Sequence, residues 1–129
     1  MGSMLLSWSL SKKPDLSMIL NGSLAGLVGI TAGADVIDPA LAVLIGFTSG
    51  LLVVVSVFAL DSQKIDDPVG AVSVHLICGI WGTLAVGIFS AEHSFLIQAL
   101  GVVSYGAFCL ISSTLIFYLI DKLLGLRVN

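Results

Sequence analysis

The chain has 129 residues, of which 57% are hydrophobic and 10% charged, with a formal net charge of −3 and a mean hydropathy of +1.13. A soluble domain carries about 25% charged residues, so these values exclude an ordinary aqueous fold, and no basic patch points to nucleic acid. The two cysteines, Cys78 and Cys109, both fall in apolar stretches without metal-type spacing and read as buried small hydrophobes rather than a disulfide.

Met1–Ser11 comes first, uncharged but only 11 residues long. A membrane-crossing helix needs about 20 apolar residues, and a signal peptide needs a basic segment before its apolar core. Here Lys12 and Lys13 come after it. The stretch therefore reads as the tail end of a helix or a segment in the membrane interface, with Trp8 as an interfacial anchor. Four uncharged windows follow: residues 16–34, 40–60, 69–91 and 94–120, of 19, 21, 23 and 27 residues. Each is long enough to span a bilayer, the first only just. The expected fold is all-α, a polytopic membrane protein of four transmembrane helices plus a short N-terminal helical stub, as one domain over residues 1–129.

The boundaries carry capping chemistry. Asp38-Pro39 and Asp67-Pro68 each place an acidic N-cap before a proline at the first helical position, where the missing N–H costs nothing. Pro14-Asp15 offers a less clear start for the first span. Lys12, Lys13, Lys64, Lys122 and Arg127 all fall on one side of a four-span topology, and the opposite loops hold Asp35, Asp38, Glu92 and His93. The positive-inside rule puts the lysine side, and hence both ends of the bundle, in the cytoplasm.

Glycines recur at helical spacing: Gly22, Gly26, Gly29 and Gly33 in the first window, Gly46 and Gly50 in the second, Gly79 and Gly82 in the third. In lipid, helices associate through close packing of small residues, so these stripes predict helix–helix contact. Trp81 reads as packing, His93 as a solvated loop residue, and Ser112, Ser113 and Thr114 as bonding back to their own helix.

His75 is the one histidine inside the four windows. An ionisable group at that depth is costly, which makes it a candidate functional residue. At α-helical spacing Ala71, Cys78, Gly79 and Gly82 share its face, so the ring is expected against protein or a narrow cavity, kept neutral by burial. Three readings stay open: an imidazole hydrogen-bonded to a neighbouring helix, a metal ligand with Cys78, or a pore-lining group. The metal reading lacks the third protein ligand that zinc requires.

The segment Asp66-Asp67-Pro68-Val69-Gly70-Ala71-Val72-Ser73-Val74-His75-Leu76-Ile77-Cys78-Gly79-Ile80-Trp81-Gly82-Thr83-Leu84 resembles the region around the second pore histidine of ammonium transporters (Amt/Mep/Rh). Asn21 to Ala32, Lys13-Pro14 and Gly125-Leu126-Arg127-Val128 are similar to the same family in colinear order. The resemblance implies a non-enzymatic plasma-membrane transporter of ammonium or ammonia, without cofactor or metal. It also implies a homotrimer of subunits with eleven helices, of which this chain matches the last four and a stub. By the match, His75 is the second of two paired pore histidines, and Asp67 is the acidic residue at the start of the penultimate helix. The first histidine, the aromatic gate and the outer recruitment site would lie on helices not in this chain, and the family's cytoplasmic tail would follow it. The loop at Gly33-Ala34-Asp35 departs from the family pattern. A reading from a different class is a small four-helix membrane protein acting as a structural or inhibitory subunit of intact transporters.

Overall fold

A computed structural model describes residues 1–126, and within them every regular element is helical. In chain order these are α1 (Gly2–Ser11), α2 (Leu16–Thr31), α3 (Pro39–Ser62), a π-helical segment (Ala71–Ile77) that runs directly into α4 (Cys78–Phe89), and α5 (Phe95–Leu124). Three stretches are long and apolar enough to cross a bilayer: Pro39–Ser62, Ala71–Phe89 and Phe95–Leu124. α2 is shorter. Its 16 residues rise about 24 Å, against a hydrocarbon core of about 30 Å. The window expected to run to Ala34 leaves the helix at Thr31 and continues as turns, in which Gly33 N–H donates to the Ile30 carbonyl and Ile37 N–H to that of Gly33.

Two of the three expected acidic caps form as read. Asp15 accepts from Met18 N–H at 3.1 Å, and Asp38 accepts from Ala40 N–H at 2.8 Å with Pro39 at the first helical position. Asp67 differs. Pro68 is not the first residue of a helix but part of a turn closed by Gly70 N–H on the Asp67 carbonyl, and the helix begins at Ala71 with Gly70 as its N-cap in the left-handed region, φ +69°. The Asp67 carboxylate nevertheless caps that helix, reaching forward past the turn.

The bundle is held where small residues meet. A Cβ added at Gly82 would collide with the Gly29 carbonyl, so α4 can approach α2 only through glycine. α2 and α3 likewise close through Gly26 and Gly46, and through Gly29 against Ser49. α1 packs on α2 and α3 by its small face, with Gly2, Ser3 and Ser7 buried and Ser3 seated against Gly22. It is a packed helix, not a segment lying in the interface. The fully buried core is correspondingly small in residue size: Ala25, Val53, Val54, Val74 and Cys78. Ile45 is buried beside it, while most of the larger Leu, Ile and Phe side chains face outward, as suits lipid surroundings. α5 touches only α4 among the described elements and buries no residue.

Candidate functional site: the imidazole groove

The site begins at Asp67. Its Oδ2 accepts both the backbone N–H and the hydroxyl of Ser73 at 2.8 Å, and its Oδ1 accepts from Val72 N–H at 3.1 Å. These are donors that a helix start leaves without intrahelical partners. Partial desolvation tends to raise the Asp67 pKa, but the bonds from Ser73, Val72 and Ala71 outweigh it and hold the carboxyl below its ordinary value. Beyond this clamp the backbone is π-helical: His75 N–H donates to the Gly70 carbonyl, five residues back, at 3.2 Å.

The π segment overturns the expected placement of His75. α-Helical spacing puts residues 71, 75, 78 and 82 on one face. The buried positions instead run Ser73, Val74, Cys78, Gly82, Ala85 and Val86. Val74, four residues before Cys78, is in the core, and both His75 and Ala71 are exposed. The Cys78 thiol lies inside, 3.6 Å from the carbonyls of Ser49 and Ser73, while Gly82 meets α2. The shared small-residue face is thus split, and the ring is not buried within this chain.

His75 instead lines a half-open groove of about 370 Å³ between α4 and α5, with Leu76, Gly79, Ile80 and Thr83 on one wall and Gln98, Gly101, Val102, Tyr105, Gly106 and Cys109 on the other. The Thr83 hydroxyl is engaged by its own helix, donating to Gly79 at 2.9 Å. Among the described residues the only histidine ring in a hydrogen bond is that of His93, whose Nδ1 lies 3.0 Å from the Ser90 hydroxyl. His93 is therefore half-buried and bonded rather than freely solvated. The imidazole of His75 is left with both nitrogens available, one donor and one acceptor in the neutral ring.

Other expectations fare unevenly. Trp81 does pack, and its indole N–H also donates to the Ile45 carbonyl at 3.4 Å. Ser113 bonds back to Leu110. Cys78 is buried as read, but Cys109 is exposed in the groove. The last helix forms a whole wall of the groove. Ser73 and Gln98 escaped the sequence reading because nothing in their local pattern marks them. The six-residue separation of Ser73 from Asp67 matches no regular helical contact. Among the described residues no three His, Cys, Asp or Glu side chains gather as a metal site. Arg127, and the part of the family resemblance at Arg127 and Val128, lie outside the described residues.

The sequence pattern of the Ammonium Transporter Family matches residues 1–129. The chain belongs to that family. It is 45% identical to a putative ammonium transporter of Synechocystis sp. over 92% of this chain and 27% of that relative. It is 34% identical to the ammonium transporter Amt2 of Archaeoglobus fulgidus over 98% of this chain and 31% of that protein. A solved structure described as a sensor Amt protein superimposes with a TM-score of 0.90 at 33% identity, covering 99% of this chain and 35% of the other. This family member therefore spans about a third of the length of these relatives. Family membership and the long apolar helices together make it a multi-pass membrane protein.

Proposed function

We propose that the chain supplies the C-terminal third of an ammonium-conducting fold and that His75 faces the solute path. One observation carries this reading: an imidazole without a hydrogen-bond partner among the described residues stands in an open apolar groove, off the packed core, beside Gly79. Moving an ammonium ion through such a groove costs a large desolvation penalty, whereas neutral ammonia crosses far more cheaply. A neutral ring can replace water as donor or acceptor along the way, and K⁺ or Na⁺, with no proton to shed, gains nothing from it. The first pore histidine of the pair and the outer recruitment site would come from the remaining two thirds of the fold.

In this reading residues 16–34, the short α2 with its turns, make a fourth crossing. The protein then resides in the plasma membrane with Lys12, Lys13, Lys64 and Lys122 on the cytoplasmic side. It is a transporter element and catalyses no covalent chemistry.

Uptake of labelled methylammonium into vesicles tests the proposal. The chain alone should show no saturable uptake, and fusion to the N-terminal helices of the Synechocystis relative should restore it. His75→Ala in that chimaera should cut uptake by about tenfold, the equivalent of one lost hydrogen bond of about 1.4 kcal/mol. Saturable, His75-dependent uptake by the chain alone would overturn the incomplete pore. Full uptake by the His75→Ala chimaera would remove His75 from the path.

A further inference from the structure

We infer that Ser73 is a positioning residue for His75: clamped to Asp67, it holds the π-helical register that turns the imidazole out of the core and into the groove. The inference takes its functional meaning from the conduction reading above but rests on separate geometry. Counting back from Gly82 and Cys78, which α2 and α3 hold in place, an unbroken α-helix would bring both Val74 and His75 to the flanks of the buried face. The structure brings Val74 there alone, with none of its side chain exposed, and leaves His75 outside, as the segment is wound with one extra residue in its turn.

π-Helical turns are rare and need outside support. Three contacts supply it here. Oδ2 of Asp67 takes both the N–H and the hydroxyl of Ser73, fixing that residue twice through one acceptor atom. Oδ1 takes Val72 N–H, so two successive amides of the first turn are tied to the one carboxylate. Gly70, at φ +69°, lets the chain enter the segment, and a Cβ there would stand 2.7 Å from Val74. Of these, the Ser73 hydroxyl is the one contact that a side-chain change can remove while leaving the carboxylate and every backbone group in place. Ser73 itself is fully buried, so it touches no solute and acts only through the rotation it imposes two residues later.

The test reads the accessibility of His75 directly. The whole chain in lipid nanodiscs is treated with diethyl pyrocarbonate, and mass spectrometry gives the rate of carbethoxylation at His75 relative to His93, which lies in the loop after α4 and serves as internal reference. Ser73→Ala should lower that ratio by about fivefold, the population shift expected from losing one hydrogen bond of ordinary strength, as the segment relaxes and the ring turns inward. Ser73→Thr, which keeps the hydroxyl, should retain the parental ratio, and ¹⁵N shifts of labelled histidine should move in the alanine variant alone. Helix content by circular dichroism should be the same in all three. An unchanged His75 ratio in Ser73→Ala, or equal losses in the alanine and threonine variants, would overturn the positioning role. A lowered ratio with undiminished uptake in the chimaera would leave the positioning role standing and defeat the conduction reading instead.

Discussion

α3 and α5 are both long, apolar and uncharged through their middles, yet a third of the most apolar window of α3 is buried and none of that of α5 is. Hydropathy does not separate them, because in a bilayer the lipid is as apolar as a neighbouring helix. Small residues with a partner do. Gly46, Ser49 and Gly50 of α3 meet Gly26, Gly29 and Ser3 of the adjoining helices, whereas Cβ atoms added at Gly101 and Gly106 of α5 would find nothing within 4 Å. Identical residue types at comparable depth thus close an interface in one helix and leave a groove wall in the other. Among the described elements α5 is held by α4 alone, and that one-sided attachment keeps the space beside His75 open.

Substitutions at glycine break this comparison most sharply. Gly82→Val drives a side chain into the Gly29 carbonyl, which is backbone and cannot swing aside. It should cost about 3 kcal/mol or more, seen as a lowered midpoint in reversible unfolding by dodecyl sulfate. The clamp at the start of the π segment comes next. Because the folded-state pKa of Asp67 lies below its unfolded value, its contribution is complete above the ordinary carboxylate range and is lost as pH falls through the lowered value. Unfolding midpoints measured from about pH 6 to pH 3 should therefore drop for the parent chain and drop less for Asp67→Asn. Asp38→Ala removes a single cap at the start of α3 and should cost about 1 kcal/mol. Gly106→Ala on the open wall of α5 should be the mildest, neutral or stabilising by up to about 1 kcal/mol through helix propensity alone. A Gly106→Ala variant as damaging as Gly82→Val would mean that α5 is packed where the structure leaves it open.

Much of this was legible from local chemistry. Asp15 and Asp38 cap α2 and α3 because a carboxylate beside a helix start finds unpaired N–H groups within its own few residues. The glycine stripes of α2 and α3 mark true interfaces because small-residue spacing is itself the packing surface. The same logic failed at Gly33, where turns replace the last part of the expected span, whereas at α1, read as either a helix end or an interfacial segment, the packed serines and glycine decide for the helix. It failed most usefully at His75. Periodicity assumed 3.6 residues per turn through a segment that does not wind that way, so the residue it singled out was assigned to the wrong face.

From its order of residues alone the protein is a membrane-embedded helical chain of the ammonium transporter family, with capped helix starts, glycine-mediated contacts and one histidine at depth. Those properties depend on hydropathy and on neighbours within a turn or two. Which way the imidazole points, and that α4 and α5 part to leave a groove around it, were decided only when Asp67 folded across the turn onto Ser73 and when α2 and α3 claimed Val74 and Cys78 for the core. Both outcomes come from hydrogen bonds and packing between residues that no regular helix brings together, so the physical competition that settles them exists only in the assembled fold.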